Sequence, residues 1–148
     1  MSSAVSSVVH DTFVVERTYP ATPERVFAAW ADPEAKKRWF VSAGEHELDF
    51  RAGGRETVEG RTPDGGPMTF VATFHDIVPE QRIVFSGTLT GDGALATVST
   101  TTVEFFAEGE GTRLVLTEQD TFLDGAEKPE WREQGTGDWL DRLGDELK

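Results

Sequence analysis

The sequence predicts an α+β domain in which a seven-stranded antiparallel sheet is covered by one long C-terminal helix. Strand-like segments follow one another between residues 45 and 121, with short glycine-containing breaks between them. Short connections of this kind join antiparallel strands, whereas parallel strands need long crossovers. Pro129 opens a helical segment that runs to the C-terminus. This is the only long helix predicted, so we expect it to cover the apolar face of the sheet.

The chain begins with a serine-rich stretch, MSSAVSSVVH, for which we expect a disordered tail over residues 1–10. A single domain is predicted to occupy residues 11–148. Its first strand covers residues 13–19, because β-branched residues are frequent there and Phe13, Val15, Arg17 and Tyr19 follow one another at every second position.

Two short helices are predicted to follow the first strand. Thr22 and Asp32 are good N-cap residues, and each is followed by a proline at the first helical position. Trp30 in the first helix and Trp39 in the second lie on the apolar sides of these helices. We therefore expect a bent helix pair that closes one end of a cavity.

Six further strands are predicted, at residues 45–51, 54–61, 67–77, 82–90, 96–107 and 112–121. Turn-forming residues separate them, such as Gly91–Asp92–Gly93. The segment from Gly91 to Ala96 also fits the G-x-G-x-x-A pattern of a dinucleotide-binding loop. Such a loop requires a helix after it, but a β-branched strand follows here, so we interpret the segment as a hairpin loop.

The C-terminal helix carries two neighbouring apolar rows. One contains the leucines between positions 140 and 147, and the other consists of Trp131, Gly135 and Trp139 at i, i+4 spacing.

Composition and charge exclude several classes of function. The formal net charge is −13, which disfavours nucleic acid and anionic membranes because both are bound through Lys and Arg. No apolar run approaches the roughly 20 residues that span a bilayer, and the N-terminus lacks a signal pattern, so we expect a cytoplasmic protein. There is no cysteine, and the three histidines lack metal-binding spacing. We therefore expect no metal and no other cofactor.

Motifs along most of the chain resemble the START-like (SRPBCC) superfamily. The similar stretches are ERTYPATPERVFAAWADPE, DFRAGG, HDIVPEQRIVFS, GTRLVLTEQ and LDRL. The most similar branch is the one named after the activator of the heat-shock-protein-90 ATPase. The resemblance implies a helix-grip fold, in which a curved antiparallel sheet wraps around a long C-terminal helix. It implies no single function, because the superfamily contains lipid carriers, cyclases, hormone receptors and co-chaperone domains.

A ligand-binding cavity between the sheet and the helix is the leading site hypothesis, since a sheet curved around a helix tends to leave unfilled volume. Its aromatic and small lining residues are predicted to be Trp30, Trp39, Phe50, Phe70, Phe85, Phe105, Trp131, Gly135 and Trp139. Glu56, Thr101 and Glu118 lie on inward-facing positions of their strands. A carboxylate in an apolar enclosure is costly unless it is paired, protonated or wetted. Glu56 and Glu118 therefore either reach water near the open ends or orient a ligand.

Gly87 is also assigned to the ligand-binding set. It continues the inward row of Ile83 and Phe85, at a position where related chains often carry an aromatic residue. A glycine inside a strand costs backbone entropy and packs nothing, so it marks either a bulge or room for something else.

Three functions remain as alternatives. The leading one is a protein that binds an apolar or aromatic small molecule. The second is a cyclase-like or dehydratase-like enzyme that uses enclosed carboxylates as general acid or base. The third is a co-chaperone-like domain that binds a protein partner, which should expose an apolar patch. No catalytic residue is assigned, because no nucleophile with a matching base is evident.

Overall fold

The order of elements is strand, two helices, six strands and a long helix, as the sequence predicts. The computed structural model describes residues 6–41, 44–62 and 64–148. The elements are β1 (Val8–Tyr19), α1 (Pro23–Ala31), α2 (Pro33–Phe40), β2 (His46–Leu48), β3 (Arg55–Arg61), β4 (Pro67–Val78), β5 (Arg82–Gly91), β6 (Ala94–Glu108), β7 (Gly111–Leu123) and α3 (Pro129–Glu146).

The seven strands form one open, curved sheet with the order β1-β7-β6-β5-β4-β3-β2. Every neighbouring pair is antiparallel. Strands β2 to β7 are consecutive neighbours, as their short turns require. β1 joins the far edge of this meander beside β7, so α1 and α2 connect the two edges of the sheet. The predicted α+β helix-grip fold is confirmed.

The first strand is longer than predicted and includes part of the expected tail. Val8 and Val9 lie opposite Leu123 and Phe122 of β7. The ladder therefore takes in residues 8–10, because β7 extends far enough to offer them backbone partners. Residues 1–5 of the predicted tail lie outside the described residues.

The second strand is shorter than the predicted 45–51 and ends at Leu48. The chain turns after it, where the Gly54 N–H donates to the carbonyl oxygen of Arg51 at 2.8 Å. The Gly53 N–H donates to the carbonyl oxygen of Phe74, also at 2.8 Å. Backbone groups that a longer ladder would use are thus engaged in the turn.

The two short helices begin and end as their capping residues predict. The Ala35 N–H donates to Asp32 Oδ2 at 3.1 Å, which caps the start of α2. The Asp32 N–H donates in turn to the carbonyl oxygen of Ala28 at 2.9 Å, at the end of α1. One residue therefore ends the first helix and starts the second, which bends the pair sharply.

The core lies between the concave face of the sheet and the apolar row of α3. Leu114, Ile83, Leu140 and Leu143 are each fully buried there, and complete burial of such a side chain contributes about 1.5–3 kcal/mol. The Tyr19 hydroxyl donates to the carbonyl oxygen of Leu140 at 2.6 Å, which fixes α3 to β1. No helix in the described ranges is long and apolar enough to cross a membrane.

Candidate functional site

A cleft of about 820 Å³ lies between α3 and strands β3 to β5. Its α3 side presents one stripe of the helix, formed by Trp131, Gly135, Trp139 and Arg142. The sheet side and the α2 end contribute Val58, Met68, Phe70, Leu89, Phe40 and Val41. The cleft is thus aromatic and aliphatic on both sides, with a charged residue at one end of the helical stripe.

Aromatic rings form a continuous wall at the α2 end of this cleft. The ring of Phe40 meets that of Trp139 edge to face, with centroids 4.5 Å apart. On its other side it meets Phe70 at 6.1 Å. At the opposite end Trp131 is 55% exposed, and Lys128 Nζ lies 5.1 Å from its ring centroid. A flat apolar ligand would therefore meet ring surfaces at both ends of the cleft.

Gly135 leaves the middle of the helical stripe open. A Cβ atom built at this position would have no heavy atom within 4 Å. Glycine inside a helix is unfavourable by about 1 kcal/mol relative to alanine. Here that unfavourable residue lies between two tryptophans and faces the cleft.

The cleft contains only part of the predicted ligand-binding set. Phe70, Trp131, Gly135 and Trp139 line it. The remaining candidates lie elsewhere, namely Trp30, Trp39, Phe50, Glu56, Phe85, Gly87, Thr101, Phe105 and Glu118.

The other predicted aromatics pack against one another beneath α1 and α2. Trp30 and Trp39 meet at 4.8 Å between ring centroids. The ring centroid of Phe27 lies 5.6 Å from those of both Phe50, in the turn after β2, and Phe105 of β6. The helix pair fills this part of the space, because its inward side is itself aromatic. The volume expected there is occupied by protein.

Of the two explanations that the sequence suggests for Gly87, the bulge is excluded, and the room that the glycine leaves is taken by another side chain of the protein. Its pairing is regular on both sides, with Ala72 on β4 and Ser99 on β6, so it marks no bulge. A Cβ at Gly87 would lie 2.9 Å from Cε1 of Phe70. The space left by the glycine is therefore filled by the Phe70 ring, which forms part of the cleft floor. The irregularity of this strand pair lies instead in β4, between Phe74 and Asp76.

Glu56 is buried in an ion pair that sequence reasoning missed. Lys36 Nζ donates to both of its carboxylate oxygens, at 2.9 and 3.0 Å, and both side chains are 1% exposed. His46 Nε2 lies 2.8 Å from Glu56 Oε2. Burial acts to raise the pKa of Glu56, but Lys36 and His46 outweigh it and hold that pKa below its ordinary value. Burial lowers the pKa of Lys36, an effect that Glu56 opposes.

Aromatic rings enclose the Lys36 ammonium group on its remaining sides. The distances from Nζ to the ring centroids are 4.9 Å for Trp30, 5.4 Å for Trp39 and 4.2 Å for Phe40. These cation–π contacts replace part of the lost hydration. The sequence did carry a signal, since Trp39 and Phe40 follow Lys36 at i+3 and i+4, on the same side of α2.

Glu118 belongs to a second buried network, centred on Arg132 of α3. Arg132 Nε donates to Glu118 Oε2 at 2.8 Å and Nη1 donates to Glu127 Oε1 at 3.1 Å. Nη2 donates to Ser99 Oγ at 3.2 Å. Thr101 Oγ1 lies 3.5 Å from Glu118 Oε1. Both inward carboxylates are therefore neutralised by a buried cation, and neither reaches water at an open end of the sheet.

Asp120 lies on the same face of β7 as Glu118 and is not paired in this way. It is 4% exposed, and neither carboxyl oxygen has a hydrogen-bond partner among the described residues. Burial and the nearby Glu118 raise the pKa of Asp120 to about 8. Glu127 acts in the same direction, Arg132 opposes it, and Asp11 lies directly across the β1–β7 ladder. Asp120 therefore holds a proton at neutral pH, and its hydroxyl can donate to Glu118.

Metal-binding geometry is not found in the described part of the chain. No group of three or more histidine, aspartate or glutamate side chains there could hold a metal ion. The two buried carboxylate networks are built around Lys36 and Arg132 instead.

The curved seven-stranded sheet, the helix lying along it and the cleft between them define a helix-grip protein of the START-like (SRPBCC) class. The model of one family within this class matches residues 20–148. The chain belongs to this family, the Activator of Hsp90 ATPase homolog 1-like proteins. Among curated proteins, none matches the chain significantly.

Several solved structures of bacterial proteins share the whole fold. An uncharacterised protein from Rhizobium leguminosarum is 40% identical, with a TM-score of 0.92 over 97% of this chain and 98% of its own. Mll3558 from Rhizobium loti is 45% identical, with a TM-score of 0.90 over 95% of this chain and 99% of its own. CalU16 from Micromonospora echinospora is 22% identical, with a TM-score of 0.66 over 98% of this chain and 87% of its own, and shows likeness of fold alone.

Proposed function

We propose that the cleft between α3 and strands β3 to β5 binds an apolar or aromatic small molecule. The observation that carries this proposal is Gly135, a helix-interior glycine that faces the cleft with no atom near its missing side chain. Every other residue type except proline has a higher helix propensity than glycine. Glycine is the residue that keeps the cleft continuous between Trp131 and Trp139.

The dimensions and chemistry of the cleft support the same proposal. Its volume of about 820 Å³ falls within the range of about 300–1,000 Å³ typical of small-molecule sites. The stripe from Trp131 to Arg142 extends about 16 Å along the helix axis. Such sites combine aromatic walls with polar groups that orient the ligand, and this cleft has aromatic walls with Arg142 at one end and Arg132 and Glu127 at the other. We place this function in the cytoplasm, as the sequence leads us to expect.

Acid–base catalysis of the cyclase or dehydratase kind is a second candidate. The protonated Asp120 beside Glu118 favours it, because a carboxyl group with a raised pKa can act as a general acid. Asp120 and Glu118 do not line the cleft, however, whereas Arg132 and Glu127 of the same network do. Ligand binding is therefore the function that the geometry supports better.

The test uses two substitutions at Gly135 and an uncharged fluorescent probe, N-phenyl-1-naphthylamine. Gly135→Trp fills the cleft, so we expect probe affinity to fall at least tenfold, which corresponds to about 1.4 kcal/mol. Gly135→Ala adds one methyl group, so it should keep the affinity and raise the free energy of unfolding by up to about 1 kcal/mol. Equal probe affinity in all three proteins would show that the probe binds elsewhere and would overturn the proposal.

A further inference from the structure

The orientation of Arg142 narrows the chemistry of the ligand. Arg142 is the last residue of the α3 stripe that lines the cleft. Its Nε donates to the backbone carbonyl oxygen of Trp39 at 3.1 Å. The guanidinium is thereby held at the end of α2, and Arg142 lines the same cleft as Phe40 and Trp139. Its position in the cleft is set by a backbone atom.

This arginine does not form the ion pairs that its helix offers. Asp138 and Glu146 stand at i−4 and i+4, where a helical arginine commonly meets a carboxylate. Glu146 instead accepts from Arg38 Nη2 at 2.7 Å. Within the described ranges no carboxylate oxygen lies within 4.0 Å of Arg142. Its charge is therefore not neutralised by the part of the chain described.

Five other charged residues line the cleft, namely Glu45, Glu59, Arg61, Glu127 and Arg132. Arg132 and Glu127 at the far end form an ion pair with each other. Glu59 and Arg61 alternate with Val58 along β3, so their side chains project from the opposite face of the sheet. Arg61, like Arg142, forms no ion pair in the described ranges, and its Nη1 donates to the carbonyl oxygen of Gly65 at 3.2 Å. In a chain with a net charge of −13, Arg142 is the guanidinium without an ion pair on the helical stripe that carries the two tryptophans.

We infer that the ligand of this cleft carries a carboxylate or a similar planar anion and that Arg142 binds it. The inference rests on the proposed function and adds the class of ligand. A guanidinium offers paired N–H groups in a planar fork that matches a carboxylate. Phe40 and Trp139 present ring surfaces in the same cleft. An aromatic or apolar acid can bind the guanidinium with its carboxylate and contact the rings with its apolar part.

A matched pair of probes tests the charge of the ligand independently of its shape. 1-Pyrenebutyrate carries a carboxylate, and 1-pyrenebutanamide replaces it with a neutral amide of nearly the same size. Titrations followed by pyrene fluorescence should show the carboxylate binding about fivefold more tightly, a modest ratio because Arg142 is exposed to solvent. The preference should shrink as the salt concentration rises.

Two arginine variants then test whether Arg142 causes the preference for the carboxylate probe. In Arg142→Gln we expect the carboxylate affinity to fall to the amide value, with the amide affinity unchanged. Arg113→Gln is the matched control, because Arg113 pairs with Glu16 and lies over Phe106, away from the cleft. That variant should keep the fivefold ratio. Because each ratio is measured within one protein, a loss of stability in either variant does not change its meaning.

The possible outcomes separate this inference from the proposed function. Equal affinity of the wild-type protein for both probes overturns the inference and leaves the proposed function standing. A preference that persists in Arg142→Gln overturns the assignment to Arg142. If Arg142 only caps the end of α2, its variant loses thermal stability while the ratio stays at the wild-type value. Failure of both probes to bind overturns the proposed function and the inference with it.

Discussion

At the scale of single residues, the unusual feature of this protein is its buried charge. Lys36 with Glu56 and Arg132 with Glu118 both lie inside the domain, each with a side chain exposed by at most 8%. Burial removes the hydration of both charges in such a pair. Close geometry and additional hydrogen bonds must offset the free energy that this costs. Aromatic rings surround the first pair and polar side chains surround the second. Each network therefore depends on every one of its members.

The Lys36–Glu56 pair predicts strong coupling between the two residues. Glu56→Leu leaves a buried ammonium without its carboxylate and should lower the free energy of unfolding by about 3–5 kcal/mol. Lys36→Met should cost a similar amount, since it leaves Glu56 with His46 as its remaining partner. The double variant should recover most of the loss, because two apolar side chains can fill the same volume.

Urea unfolding of the four proteins in this cycle measures the coupling energy. Losses that simply add in the double variant would show that the two residues stabilise the fold independently.

Asp120 predicts a particular dependence of stability on pH. Its pKa is about 8 in the folded protein and about 3.9 in an unfolded chain. Between these values the folded state binds the proton and the unfolded state does not, so this group's contribution falls as the pH rises from about 4 to about 8. Asp120→Asn removes the titrating group and keeps a donor for Glu118. The variant should therefore gain stability relative to the wild type as the pH increases.

The measurement is the free energy of unfolding in urea at several pH values from 5 to 9. Asp145→Asn serves as the control, because the Asp145 side chain is 75% exposed and it should leave the pH dependence unchanged. A constant difference between Asp120→Asn and the wild type across this range would contradict a raised pKa.

At the scale of elements, an aromatic ring on β4 packs over a glycine on β5, and this contact fits the two strands together. Phe70 lies over Gly87, and the ladder between the two strands is regular at that point. The same ring contacts Phe40 and forms part of the cleft floor. The glycine thus lets a large aromatic side chain lie close to the sheet, and the position of that ring sets the depth of the cleft.

Gly87→Ala tests this match. The new methyl carbon would lie 2.9 Å from Cε1 of Phe70. This is closer than two carbon atoms pack, so the ring must move. We expect a loss of about 1–3 kcal/mol, the usual range for overpacking. Combining it with Phe70→Leu should recover part of the loss, because leucine vacates the space that the methyl group needs.

Thermal and urea unfolding of the single and double variants check this prediction. A Gly87→Ala protein as stable as the wild type would indicate that the Phe70 ring has free space to move into.

At the scale of the whole molecule, the helix pair divides the space between sheet and α3 into a packed part and an open part. α1 and α2 place Trp30 and Trp39 over one portion of the concave face, where the aromatic core is complete. Phe40, at the end of α2, stands at the boundary and contacts Trp139 across it. Beyond Phe40, no helix of the described ranges packs as closely against β3 to β5, and the cleft lies there. The position of two short helices therefore decides where the cleft lies.

The sequence by itself determined the fold and the capping of its helices. Alternation along each strand assigned the inward face of β7, including Glu118, and the proline-led caps at Thr22 and Asp32 located α1 and α2. These features depend on neighbours within a few residues, so they can be deduced from local patterns. The row of Trp131, Gly135 and Trp139 was assigned to a lining surface for the same reason.

Only the tertiary structure decided which inward residues meet each other. Lys36 reaches Glu56 from a different element, Arg132 reaches Glu118 across the core, and Phe70 covers Gly87 from the neighbouring strand. Each contact depends on strand register and on how the helices pack against the sheet, and periodicity specifies a face without specifying the partner on it. The open volume is likewise what remains after all elements have packed. For that physical reason the sequence predicted a cavity lining that was too wide.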